Sequence, residues 1–143
     1  MSCPFCSIDL KRTRILFTSQ YSKVLLSNPR LVPGHLLVVP IRHVEKLNEL
    51  SSTELHDLCD TVIFYEEKIL ADFSSGCDIR LNYRPFLDEN DLKVNHLHVH
   101  LLPRRNEDDY FANLQKNENE LFTWLSEEEK QEMNQLFSTE CVV

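Results

Sequence analysis

The run His96-Leu97-His98-Val99-His100-Leu101-Leu102-Pro103 constrains this chain more than any other stretch. Histidine holds every even position from 96 to 100, with an aliphatic residue between each pair. A period of two belongs to a β-strand; on a helix these residues would scatter around the axis. On a strand three imidazoles share one face, with same-face neighbours roughly 6.6–6.8 Å apart. Leu97, Val99 and Leu101 share the other. The aliphatic face calls for a core, and the imidazole face for water, a metal, a ligand or other polar groups. Pro103 lacks a donor and is expected to end the ladder. Three of the six histidines within five residues is more clustering than a solvated face requires.

The strand needs a protein around it, and 143 residues suffice for one domain with a core. Hydrophobic residues make up 42%, which fits neither a disordered nor a membrane chain. No apolar run approaches the ~20 residues of a membrane span. Without a secretory signal pattern, a cytoplasmic protein is the expectation. Net charge is −8, and ten of the 23 acids fall in 105–143 beside three bases. No basic stripe appears, so a duplex nucleic-acid binder is not expected. Five cysteines, an odd number, argue against a disulfide framework. Cys59 in a helical pattern and Cys77 in a strand pattern read as buried small hydrophobes; Cys141 lies near the end.

Cys3-Pro4-Phe5-Cys6 is a C-x-x-C knuckle. Two thiolates at this spacing can grip one tetrahedral ion. Redox chemistry would want the pair at a helix start after a strand, and a chance pairing also stays open. Further ligands would be histidines, and outside the triad these are His35, His43 and His56.

Arg14 to Ser19 and Lys23 to Ser27 read as a hairpin. Pro33-Gly34 is turn punctuation, and Leu36 to Val39 is a continuous aliphatic strand that fits a buried central position. His35 sits at its mouth. Ser51 with Glu54 forms a capping-box signal, and Leu55, Leu58, Val62, Ile69 and Phe73 recur at helical spacing. These predict one long helix from about 52 to 73, with His56 solvated. Residues 77–83 alternate as a half-buried strand presenting Asp78, Arg80 and Asn82 on one face. Residues 107–117 fit a short helix. Another is expected after Ser126, with Met133, Leu136 and Phe137 as its stripe. The fold class is α+β: an antiparallel sheet with one long helix packed on it, plus a C-terminal helical tail. The organisation is a single domain over 1–143, with a core over about 3–104 and an acidic helical extension over about 105–143.

His-φ-His-φ-His-φ-φ followed by Pro103-Arg104, with φ an apolar residue, resembles the signature of the histidine-triad (HIT) nucleotide hydrolases and transferases. Three further blocks in the same order extend the resemblance over roughly 3–104: Cys3 to Cys6, Val32 to His43, and Ile79 to Asn82. The Leu-Gln-Lys and Ser-Glu-Glu-Glu segments of the tail resemble the fragile-histidine-triad branch. The resemblance implies a HIT-like fold, a homodimer, and attack by His98 on the α-phosphate of a nucleotide to give a nucleotidyl-histidine intermediate. It implies a catalytic part for His100 beside His98, phosphate binding by His100 and His35, substrate binding by Asn82, and a ribose contact at Asn28. It also implies a structural zinc on Cys3, Cys6, His43 and His96, as in zinc-bearing members.

One departure stands out. Family members commonly carry Gly-Gln-Ser/Thr-Val just before the triad, where this chain reads Asp91-Leu92-Lys93-Val94. Leu92 cannot donate a hydrogen bond, and Lys93 offers phosphate a charge instead of a hydroxyl. The expected substrate is a dinucleoside polyphosphate or a nucleoside phosphoramidate. A nucleotide-binding module with little turnover is the alternative, favoured by the missing glutamine and disfavoured by an intact His98. A catalytic metal held by all three triad histidines is the other rival. Three alternating ligands on one straight strand span roughly 13 Å, too far for one ion.

Overall fold

The computed structural model describes residues 3–138, so Cys141 lies outside the described residues. The chain divides into two compact units, one running to Tyr110 and the other beginning at Phe111.

The first unit is built on five antiparallel strands: β1 (Ile15–Thr18), β2 (Ser22–Leu26), β3 (Leu36–Pro40), β4 (Gly76–Leu81) and β5 (Val99–Arg104). Their order across the sheet is β1-β2-β3-β5-β4. β1 and β2 form the expected hairpin, Thr18 paired with Lys23. β3 is buried along its whole length, as its unbroken aliphatic run requires.

The long helix α1 spans Ser52–Asp72. Ser51 accepts from the Glu54 amide while Glu54 reaches back to the Ser51 amide, the reciprocal cap its spacing predicts. α1 buries Leu58, Thr61, Val62 and Ile69 on one sheet face. There they meet Val24, Leu36, Val38, Leu97, Val99 and Leu101, so the triad's aliphatic partners do face the main core. The opposite face carries a smaller cluster of Leu25, Leu37 and Val39, covered by Phe5 and Ile8 of the N-terminal knuckle.

Three expectations are corrected. Pro103 does not end β5, which runs to Arg104 with Pro103 opposite Cys77. Pairing with β3 stops at Leu101, so beyond it the strand has a neighbour on one side only and tolerates a missing donor. The strand also starts late, at Val99, leaving His96 and His98 in the segment before it. The Leu97 amide donates to the Val44 carbonyl, outside the β3 ladder. Cys59 is exposed, on the side of α1 turned from the sheet, and Cys77 is half-buried on an edge strand.

In the second unit a π-helical turn, Phe111–Gln115, runs into α2 (Lys116–Asn119), where a short helix is expected. α3 (Glu127–Phe137) is capped by Ser126, whose hydroxyl accepts from the Glu129 amide.

Candidate active site and metal centre

Two clusters flank the start of β5. The first gathers the knuckle and two histidines. The ligand atoms of Cys3, Cys6, His43 and His96 all lie within 4.8 Å of one another. Cys3 Sγ is 3.4 Å from His96 Nδ1, Cys6 Sγ 3.3 Å from His43 Nδ1, and Cys6 Sγ 3.6 Å from His96 Nδ1. A tetrahedral ion with sulfur at ~2.3 Å and nitrogen at ~2.1 Å spaces its ligand atoms about 3.4–3.8 Å apart, close to these three separations. The tautomer fits as well. His96 Nε2 lies 2.9 Å from the Pro40 carbonyl, which can only accept, so Nε2 carries the proton and Nδ1 keeps its lone pair for a metal. His96 is buried, and burial pushes its pKa down to about 4. The four residues could therefore hold a metal.

The second cluster lies on the sheet face away from α1, at a cavity of about 830 Å³ lined by His35, His96, His98 and His100. That volume falls in the range of small-molecule sites. His100 on β5 pairs across the sheet with Leu37 on one side and Arg80 on the other, which fixes the face it presents. Gly34, with φ +77°, makes the turn that delivers His35 to the same cavity. A Cβ there would meet Phe73 at 2.7 Å.

A chain of hydrogen bonds fixes the tautomers. The Leu31 amide donates to His35 Nδ1 at 3.1 Å. A backbone N–H can only donate, so the neutral His35 carries its proton on Nε2. That nitrogen donates to His100 Nδ1 at 2.9 Å. His100 then carries its proton on Nε2, where it is free to donate. Both rings are held neutral: burial first, then the charges of Arg80 and His98, push His35 down to about 4. Burial, His98, His35 and the arginines push His100 down to about 3. Both nitrogens of His35 are thus engaged, so it orients His100 and has no free nitrogen for a ligand.

His98 Nδ1 donates to the His96 carbonyl at 2.6 Å. Its Nε2 has no partner among the described residues and keeps its lone pair. Burial lowers the His98 pKa, partly offset by that hydrogen bond. Phe5, from the middle of the knuckle, stands edge-on to His98 and His96, with ring centroids 5.1 and 5.9 Å away. The C-x-x-C knuckle therefore also braces the His98 ring.

Of the other expected residues, Asn28 and Asn82 line the cavity. The Asn28 amide group donates to the Arg12 carbonyl at 2.6 Å. Lys93 lines the wall, but its ammonium is bonded to the Leu87 carbonyl, and the side chain of Leu92 is 82% exposed. The Leu92 and Lys93 amides are both tied to Asn90 Oδ1. This loop therefore turns its donors inward on itself. Sequence reasoning passed over Arg80, Phe5 and Tyr110. The alternation of 77–83 already set Arg80 beside Asn82 on one face, whereas nothing local marks Tyr110, whose hydroxyl accepts from Arg80 Nη1 at 2.7 Å.

The HIT domain model matches residues 10–107, most of the chain and the whole of the second cluster. The chain belongs to the HIT family. It is 30% identical over 114 residues to a bis(5'-nucleosyl)-tetraphosphatase (asymmetrical) from Schizosaccharomyces pombe, an alignment covering 76% of this chain and 62% of that protein. The chain thus spans under two thirds of that relative's length. Among solved structures, it resembles a HIT-family member from Bacillus subtilis with a TM-score of 0.76 at 19% identity, covering 100% of this HIT chain and 99% of that one. A zinc-bound histidine-triad protein from Mycobacterium smegmatis matches with a TM-score of 0.62 at 23% identity, covering 76% and 79% of the two chains. These likenesses place the five-stranded antiparallel sheet and its helices in the HIT fold.

Proposed function

We propose that this HIT protein hydrolyses dinucleoside polyphosphates by nucleotidyl transfer to His98. The observation that carries the reading is the unpartnered Nε2 of His98 at a cavity that also holds the donor nitrogen of His100. His98 Nε2 attacks the α-phosphorus, and the bond from phosphorus to the bridging oxygen breaks. The departing nucleotide keeps that oxygen and its electron pair. Water then cleaves the phosphorus–nitrogen bond, releasing a nucleoside monophosphate and restoring His98. His100 Nε2–H donates to a non-bridging oxygen as charge gathers there, and His35 holds His100 in the required tautomer. Nucleoside phosphoramidates, with the same α-phosphate and an amine leaving group, are the second substrate class. Asn28 is assigned to the ribose.

The activity for which the Schizosaccharomyces pombe relative is named supports the polyphosphate reading. Against it, Lys93 and Leu92 offer the cavity none of the donors usual before the triad. That favours a second reading, a nucleotide-binding module with little turnover. Turnover of diadenosine tetraphosphate by wild type and His98→Ala separates the two. Wild type should turn over and, quenched during turnover, carry an acid-labile nucleotidyl group on His98. His98→Ala should lose at least about 10³-fold in kcat and keep nucleotide affinity within about tenfold. An active His98→Ala protein, or an adduct mapped elsewhere, would end the assignment. An inactive wild type that still binds nucleotide would leave the binding module.

The metal assigned to Cys3, Cys6, His43 and His96 is zinc, since two thiolates and two imidazoles fit its preferences and fill four positions. A filled set has no place for substrate, so its part is to hold the knuckle, and through Phe5 the His98 ring. Thiolate ligands need a reducing compartment, which supports a cytoplasmic setting. A homodimer is proposed on the exposed apolar side of α1 and the open edge of β4.

A further inference from the structure

Arg80 lines the cavity, and the triad mechanism does not use it. It stands on β4 directly opposite His100 and lowers the pKa of both His35 and His100 by its charge. Its Nη1 donates to the Tyr110 hydroxyl at 2.7 Å, and its guanidinium lies 5.6 Å from the centre of the Tyr110 ring. Its Nε is buried and has no hydrogen-bond partner. Among the described residues no carboxylate pairs with it.

Arg104 makes the contrast. It stacks on the same ring at 4.7 Å, yet Asp78 at 2.5 Å and Asp108 at 2.6 Å neutralise it. Tyr110 offers Arg80 a π-face and a phenol oxygen, neither of which carries negative charge at neutral pH. A buried donor without an acceptor and a half-buried cation without an anion both cost stability. Such costs are retained where a ligand meets them. An anion at this place would lie beside His100, the ring assigned to the attacked phosphate.

We infer that Arg80 binds the phosphate chain of the substrate beyond the attacked phosphorus, and so selects polyphosphates over substrates with an uncharged leaving group. This rests on the proposed function for the position of the α-phosphate. Arg80 takes over the part of the phosphate contact that Leu92 and Lys93 do not supply. A guanidinium is planar and donates in pairs, which suits a phosphate oxygen edge and puts charge where the departing nucleotide gains it. Tyr110 is its positioning residue.

Two substrates that share an α-phosphate test this: diadenosine tetraphosphate and adenosine 5'-phosphoramidate. Arg80→Gln should lose about 10²-fold or more in kcat/KM on the tetraphosphate, the usual scale for one charge-stabilising donor, and less than about tenfold on the phosphoramidate. Arg80→Lys, which keeps the charge without the fork, should recover part of the loss. Tyr110→Phe should show a smaller loss with the same substrate bias, a bias that a merely structural role would not produce. Equal losses on both substrates, or no loss on either, overturn the inference. A binding arm works without turnover. By calorimetry, wild type should bind ADP more tightly than AMP, and Arg80→Gln should bind the two alike. If wild type hydrolyses neither substrate, the catalytic reading falls while this comparison still decides the role of Arg80. An ADP preference that survives in a folded Arg80→Gln protein overturns it.

Discussion

Hydrogen bonds that a backbone amide starts decide what His35 and His100 can do in this cavity. Leu31 N–H sets the tautomer of His35, and His35 sets that of His100. Alternation in the sequence could put the histidines on one face, but it carries no information on tautomer, because the donor that fixes it comes from a loop 65 residues away in the chain from His100. The pH dependence follows. His35 and His100 titrate at about 4 and about 3 in the fold, below the ordinary 6.5. An unfolded chain would protonate them near 6.5 and the folded one would not, so each raises stability above that pH. The contribution is lost as pH falls from about 6.5 towards 4. Melting temperature should therefore hold between about pH 8 and 7 and decline between about pH 6 and 4. His100→Asn should remove part of the decline. Down to about pH 5 protonation of these two rings should not limit turnover, since both stay neutral there. An acid limb near 6.5 that His100→Asn removes would mean that this ring titrates normally.

Helix α1 was legible to within a residue at its end, because a reciprocal cap and a spaced apolar stripe are both local signals. The start of β5 was not legible. His96 has the alternation of a strand residue, but its ring is claimed by the Pro40 carbonyl and the two thiols, and the Leu97 amide by Val44. Those partners come from the N-terminus and from the end of β3, distant in sequence, and they override the local period. Pro103 shows the same limit: whether a strand tolerates proline depends on which neighbour is still paired there. The knuckle is the element on which the most rests. Cys6→Ala should reduce bound zinc from about one per chain to well below that, read by metal analysis. It should also lower the melting temperature by several degrees, because ligand binding energy is folding energy. Kinetically, the loosened Phe5 should free the His98 ring, so kcat should fall more than KM rises. Metal-free protein with wild-type stability would remove the zinc assignment.

At the scale of the molecule, the sheet of the first unit ends at β4, whose outer edge has no strand beside it among the described residues. Ile79 on that strand is 46% exposed. α1 turns Ile63, Phe64 and Leu70 outward, at 51%, 59% and 46% exposure. A helix whose apolar residues continue past its buried stripe, next to an unprotected edge strand, needs a cover. A second copy can supply both parts at once, since an isologous pairing sets β4 against β4 and α1 against α1 across one axis. No sequence period could show this, because the stripe that meets the sheet and the stripe that would meet a partner merge on one helix. Light scattering should give about twice the 16.8 kDa chain mass. Phe64→Glu places a charge in the contact without touching the cavity or the knuckle. It should shift the protein to monomer, with α1 still folded by circular dichroism and zinc still bound. A wild-type monomer at micromolar concentration, or a Phe64→Glu protein that stays dimeric, would remove α1 from the interface.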